Sequence, residues 1–166
     1  YVLAVEKLAD LSCPPRAEYI RVIMTELNRI ASHLLWYGTF CLEIGATTPF
    51  LYSFRDREKA LDPFASVCGA RLLYNYIRIG GVFNDAPPGW LSEVERFCDV
   101  FEEKWQEYVD LLMVNHIFVM RTANIGVISK EMALDFGLSG PMVRGSGIDW
   151  DLRRDMPYEL YEEIWK

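Results

Sequence analysis

The sequence has little of what metal and nucleophile sites are built from. It holds two histidines, His33 and His116, in 166 residues, too few for a dedicated histidine metal site. Its four cysteines, Cys13, Cys41, Cys68 and Cys98, are scattered, and none forms a Cys-x-x-Cys pair. No zinc or cluster motif is signalled, and the thiols are expected to be mostly buried and reduced. His33 follows Arg29 by one helical turn and is expected to be a partly buried structural histidine. No nucleophile elbow is present, which leaves no case for a Ser/His/Asp triad. Gly145-Ser146-Gly147 lacks the third glycine of a dinucleotide fingerprint and any Gly-Lys-Ser/Thr, so its glycines are read as backbone positions needing positive φ, not as a phosphate loop. No apolar run reaches the length of a membrane span, and no segment reads as a signal peptide.

Positive charge is also scarce. Seventeen basic against 24 acidic side chains give a net charge of −7, with no Lys/Arg cluster to form a phosphate-binding face, so nucleic acid is excluded as a partner. What the chain does have is apolar surface: 51% hydrophobic and 14% aromatic residues. That composition excludes disorder and implies a large core or faces buried against partners.

The periodicity is helical. A first helix is predicted over Tyr1–Leu11, ending at Cys13-Pro14-Pro15, where Pro15 or Arg16 opens the next. Ile20, Ile23, Met24, Leu27, Ile30, Ala31, Leu34 and Leu35 then recur at steps of three and four, with Arg21, Glu26 and Arg29 on the other side. This helix extends to about Ile44-Gly45. Thr47-Thr48-Pro49 reads as a cap and helix start, and the alternating charges Arg55-Asp56-Arg57-Glu58-Lys59 as a solvated face or an interface. Pro63 is read as opening a helical segment that runs to about Ile77 and stops at Gly80-Gly81. Trp90 opens a further helix to about Asn115; Asn124–Ile128 reads as extended; Ser129 caps a short helix closed by Gly137. Residues 138–155 are expected to be a structured loop with a short strand at Pro141–Arg144, and Pro157–Lys166 a final helix. With no succession of strand–helix units, a nucleotide-binding α/β fold is disfavoured. The expected class is mainly α, long packed helices with a small extended element late in the chain. Because the sequence starts and stops inside helices, residues 1–166 are expected to be a single partial domain of a longer protein.

One strip on the long helix invites a chemical reading. Leu35, Thr39 and Glu43 are spaced by four and share a side of the helix. An apolar group, a hydroxyl and a carboxylate in line could form one wall of a ligand chamber. Spacing alone favours the plainer reading, a helix end whose stripe drifts into solvent and leaves Glu43 merely exposed.

Several segments together resemble one family. Pro14-Pro15-Arg16-Ala17-Glu18-Tyr19-Ile20-Arg21-Val22, Glu26-Leu27-Asn28-Arg29-Ile30 and His33-Leu34-Leu35 resemble the signature helix of the quinone-site subunit of respiratory complex I. Ile44-Gly45-Ala46-x-Thr48-Pro49-Phe50, Phe54-Arg55-x-Arg57-Glu58, Gly69-Ala70-Arg71 and Tyr76-Ile77-Arg78-x-Gly80-Gly81 are similar to that family too. So is the late run Gly137-x-Ser139-Gly140-x-Met142-x-Arg144-Gly145-Ser146-Gly147-Ile148-x-Trp150-Asp151-Leu152-Arg153. The resemblance covers nearly the whole chain and implies the nickel–iron hydrogenase large-subunit scaffold.

It also implies a function. The family belongs to the peripheral arm of a membrane-bound NADH:quinone oxidoreductase, on the cytoplasmic side of a prokaryotic membrane or the matrix or stromal side of an organelle. Members of the family hold no cofactor themselves. A neighbouring subunit carries the terminal [4Fe–4S] cluster, NAD and FMN bind elsewhere in the complex, and the quinone substrate binds beside that neighbour. Quinone reduction drives proton translocation in the membrane arm. By the resemblance Leu35, Thr39 and Glu43 are quinone-binding. Glu43, standing for an aspartate that pairs with a quinone-ligating histidine, is the catalytic position. The histidine, and a tyrosine that also bonds the quinone, precede Tyr1 in the family. Arg71 is expected near the terminal cluster. Leu73 replaces a histidine of many members, and leucine neither takes up a proton nor donates a hydrogen bond. Two alternatives stay open: the large subunit of a membrane-bound energy-converting hydrogenase, and a non-catalytic structural subunit. Thr48-Pro49-Phe50 and the Arg-x-Arg-Glu run favour complex I over the first. The electron donor, whether NADH, deazaflavin or ferredoxin, is not encoded.

Overall fold

The computed structural model describes residues 1–164 and is mainly helical. The described residues form two compact units, divided between Phe118 and Val119.

The first unit is built on α1 (Val2–Ala9), α2 (Pro15–Glu43), α3 (Thr47–Cys68) and α4 (Trp90–Tyr108). Pro15 occupies the first turn of α2, where its missing N–H costs nothing. The 29 residues of α2 span about 43 Å and form the spine. Ile20, Met24, Leu27 and Ala31 of α2 pack against Ala60, Leu61, Phe64 and Val67 of α3, and Trp90, Val94 and Phe97 of α4 close the core. The Trp90 indole donates to the Pro63 carbonyl at 2.9 Å, tying the start of α4 to the last turns of α3. After Tyr108 the helix widens into a π turn, Val109–Met113, and α5 (His116–Thr122) follows.

Several expectations fail in this unit. Pro63 does not open a helix; it lies buried inside a continuous α3. Nor does α3 reach Ile77. It stops at Gly69, which takes the left-handed conformation (φ 69°) that a side chain disfavours. The residues expected to be its last turns are irregular from 70 to 76, and a hairpin of β1 (Ile77–Arg78) and β2 (Gly81–Val82) follows, turning at Ile79-Gly80. The threonines at 47 and 48 provide no side-chain cap; the cap residue is Ala46.

Arg21 is not on a polar side. It is 2% exposed. Its guanidinium reaches Glu6 of α1 at 2.5 and 3.2 Å, the Arg78 carbonyl at 2.8 Å and the Gly81 carbonyl at 3.1 Å. Glu6 also accepts from the Gly80 N–H at 2.7 Å. One buried ion pair therefore clamps α1, α2 and the hairpin. The Arg21 hydrogen bond, aided by Gly80, holds the Glu6 carboxyl below its ordinary value of 4.5 against the opposing effect of burial. A depressed carboxyl stabilises the fold fully above its unfolded pKa and loses that contribution as pH falls through the folded one. Acid titration of unfolding should show a Glu6-dependent loss beginning below about pH 4.5. A Glu6→Gln variant that loses stability in parallel with wild type over that range would refute the assignment.

The second unit has α6 (Lys130–Asp135), α7 (Gly140–Gly145), α8 (Leu152–Asp155) and α9 (Tyr161–Ile164). Ser129 caps α6, accepting from Met132 N–H at 3.2 Å, and Gly137 follows it at φ 62°. The strand expected at Pro141–Arg144 is instead α7, with Pro141 in its first turn, and the expected loop 138–155 contains two short helices. Asn124–Ile128 is not a strand: Asn124 and Gly126 both take positive φ, bending the chain. The final helix begins at Tyr161 rather than Pro157; its expected end at 165–166 lies outside the described residues. Val143 and Ala133 are buried here, and Asp151 binds Arg153 at 2.8 Å and Arg144 at 3.4 Å.

None of the four cysteines forms a disulfide, but of the four only Cys41 is buried; Cys13 and Cys68 are half-buried and Cys98 is exposed. His33 is exposed rather than partly buried.

Candidate functional site

The long helix α2 has one face with two fates. Arg21, Asn28 and Leu35 are seven residues apart and so nearly in line. At Arg21 that face is covered by α1 and the hairpin. From Asn28 onward it is open: Asn28, Ser32, Leu35, Thr39 and Glu43 are all exposed. Leu35, at 40% exposure, starts the strip expected from spacing, and the structure does bring Leu35, Thr39 and Glu43 onto one side.

Each has a definite chemistry. The Thr39 hydroxyl donates to the Leu35 and Trp36 carbonyls at 3.0 and 3.1 Å. Its proton is engaged with the helix, so toward a ligand it offers lone pairs. Glu43 ends the helix, and no basic side chain occupies the last turn. Trp36 and Phe40 flank the strip, stacked at 5.9 Å, and Phe40 meets Phe118 edge-on at 6.5 Å. The resulting surface has an aromatic side, an aliphatic end and a carboxylate end.

The reverse side of the same turns is built differently. Gly38 allows α2 and α3 to approach: a Cβ there would overlap the Ser53 hydroxyl, itself bonded to the Phe50 carbonyl at 2.9 Å. Tyr37 packs on Tyr108 with ring centroids 5.2 Å apart. Burial raises the Tyr37 phenol and the Cys41 thiol above their ordinary values.

Asp56 is the residue that sequence reasoning missed. Expected on a solvated charged face, it is 1% exposed. It accepts from Tyr108 Oη at 2.6 Å, from Arg55 at 2.7 and 3.0 Å and from Lys59 at 3.2 Å. Arg55 continues to Glu107 at 3.1 Å, which Lys104 also binds. Burial pushes the Asp56 carboxyl up, and the bonds from Arg55, Tyr108 and Lys59 more than offset that, leaving it ionised and below its ordinary value. Tyr108 is raised by burial and by the bond to Asp56. A signal did exist. Pro49, Ser53, Asp56, Ala60, Phe64 and Val67 share the buried stripe of α3, and a carboxylate on such a stripe must be paired.

Arg71 is placed elsewhere, on the segment after α3. It pairs with Glu58 and with Asp62 at 3.2 Å, so its charge is already matched by α3 carboxylates. Leu72 and Leu73 stand exposed beside it, Leu73 at 89%. Tyr74, stacked on Phe64 at 4.0 Å, and buried Tyr76 hold the far end of that segment. Among the described residues, no three His, Cys, Asp or Glu side chains are grouped to hold a metal ion. Among them too, no helix is long and apolar enough to cross a membrane.

These features define a mainly helical scaffold with an open apolar and carboxylate-ended face. Residues 43–165 match the family described as respiratory-chain NADH dehydrogenase, 49 Kd subunit, and the chain belongs to that family. It is 55% identical over 98% of its length to a chloroplastic NAD(P)H-quinone oxidoreductase subunit of Chaetosphaeridium globosum, covering 42% of that protein. It is 54% identical over 99% of its length to an NADH-quinone oxidoreductase subunit of Koribacter versatilis (strain Ellin345), covering 41%. With the NADH-quinone oxidoreductase subunit of Chlorobium chlorochromatii (strain CaD3) it shares 51% identity over 99% of its length, again covering 41%. The chain thus spans about two fifths of these relatives.

Proposed function

We propose that this chain is part of a subunit of a membrane-bound NADH:quinone oxidoreductase, residues 1–166 lying within one domain of that subunit. It forms one wall of the quinone chamber beside the terminal [4Fe–4S] cluster of a neighbouring subunit, and quinone reduction there is coupled to proton translocation by the membrane arm. NAD and FMN act elsewhere in the complex. Family membership supports the activity. The observation that carries the site is the exposed strip Leu35–Thr39–Glu43 on a rigid helix, on the face left open beyond the Arg21 clamp.

Chemically, Leu35 and the Trp36–Phe40 stack offer an apolar surface for a quinone ring. Thr39 offers an acceptor. Glu43 holds negative charge where a histidine donor, supplied from outside this chain, would be oriented and kept protonated for transfer to the reduced quinone. Arg71, in its pairs with Glu58 and Asp62, and exposed Leu73 lie on the side of the neighbouring cluster. Leu73 supplies no titratable group there, so proton-linked tuning of the cluster by this position is absent.

The test is Glu43→Ala in the intact complex. Quinone reduction should fall about a hundredfold per assembled complex, the lower end for loss of one positioned acid–base partner, while assembly persists. Wild-type turnover in that variant would defeat the site assignment.

A further inference from the structure

We propose that Tyr108, anchored on buried Asp56, is a positioning residue that fixes the azimuth of the distal half of α2 and thereby aims Leu35, Thr39 and Glu43 at the quinone. The inference rests on the quinone-face reading above and assigns a role to residues on the opposite side of the helix.

The two halves of α2 are held differently. The first is gripped by large knobs, Ile20, Met24 and Leu27, and by the Arg21 clamp. Beyond Leu34 the fully buried positions are Gly38 and Cys41, both small. A glycine contact sets how near α2 comes to α3, but it offers little to resist rotation about the helix axis. The large side chain on the inner face of this stretch is Tyr37. It lies two residues from both Leu35 and Thr39, hence about 160° round the helix from each. A shift at the Tyr37 ring therefore swings the strip in the opposite sense by a comparable distance.

Tyr37 bears on Tyr108, through ring packing at 5.2 Å and a hydroxyl that donates to the Tyr108 carbonyl at 3.5 Å. Tyr108 in turn cannot drift. Its own hydroxyl lies 2.6 Å from Asp56 Oδ2 and 3.1 Å from the Tyr52 carbonyl, both on α3. The bond to an ionised carboxylate is among the stronger hydrogen bonds available. Asp56 is fixed by Arg55 and Lys59, and Arg55 is tied back to Glu107 on α4. Directly after Tyr108 the helix changes to the π turn Val109–Met113, a local departure of the kind that re-aims residues at functional sites. The row Asp56–Tyr108–Tyr37 thus runs from the α3–α4 junction to the back of the strip. None of its members reaches the exposed face.

The test uses the intact complex with Tyr108→Phe, which keeps the ring and deletes the hydroxyl, measured with a short-chain quinone. The expected result is a KM raised about tenfold with kcat per assembled complex within about twofold, because displacement of a binding wall weakens binding more than chemistry. A purely structural role would lower the amount of complex and leave KM unchanged. If Tyr108→Phe does not assemble, Tyr37→Phe is read in the same way, with a smaller rise in KM. Unchanged KM in these variants, while Leu35→Ala and Thr39→Ala raise it, overturns the positioning role and leaves the quinone face standing. Unchanged KM in all four overturns both.

Discussion

Arg21→Leu should destabilise the fold by about 3–5 kcal/mol, the usual cost of removing one partner from a buried ion pair. The substitution is near in volume, so packing loss is not the main effect. It strands the Glu6 carboxylate, whose side chain is 7% exposed and would keep a single donor, the Gly80 N–H. It also removes a second donor from the carbonyls of Arg78 and Gly81, which pair with each other across the hairpin. Urea unfolding of the full-length subunit should show a lower midpoint at unchanged slope. Adding Glu6→Leu should recover part of the loss, since the stranded charge is then gone, but not all of it, since the carbonyls of Arg78 and Gly81 keep their hairpin pairing but lose the Arg21 guanidinium. Arg21→Lys keeps the charge yet cannot fork to carboxylate and carbonyls together, and should fall between. An Arg21→Leu protein within about 1 kcal/mol of wild type would mean that water reaches Glu6 and that no buried clamp exists.

Trp90→Ala should cost a similar amount, about 3–5 kcal/mol. Trp90 is 1% exposed and closes the core between α3 and α4. Its removal leaves a cavity lined by a helix end and a buried proline, neither of which relaxes easily. Trp90→Phe separates the contributions. It refills most of the space and deletes the indole donor, while the Pro63 carbonyl keeps the Ser66 hydroxyl at 2.9 Å. The expected loss for Phe is about 1 kcal/mol, the scale of one neutral hydrogen bond. Equal losses for Ala and Phe in thermal unfolding would show that the hydrogen bond, not the packing, secures α4.

The parts of the fold that were legible are those governed by local rules. The step of three and four from Ile20 to Leu34 and the proline at position 15 sufficed for α2, and the spacing of Leu35, Thr39 and Glu43 placed them together. Where prediction failed, a local signal was present and outweighed. Gly69 is a helix stop, but the apolar residues Leu72, Leu73 and Tyr76 match a continued helical period; two of them are in fact exposed on the segment after the helix. Gly140-Pro141 reads as a break, yet a proline in a first turn is compatible with α7. Asp56 was judged by its charge and not by its place on the α3 stripe.

The face of α2 that opened as a strip of three residues shows the division most plainly. Sequence alone determined that Leu35, Thr39 and Glu43 share one line of a long helix, because helical geometry is fixed by near neighbours. Only the tertiary structure decided that this line is sealed at Arg21 and open at Leu35. The seal is made by Glu6, Arg78 and Gly81, residues 15, 57 and 60 positions away. The anchor behind the strip is Asp56–Tyr108, 52 positions apart. Such pairings depend on chain segments meeting in space, and no periodicity within a single helix carries that information.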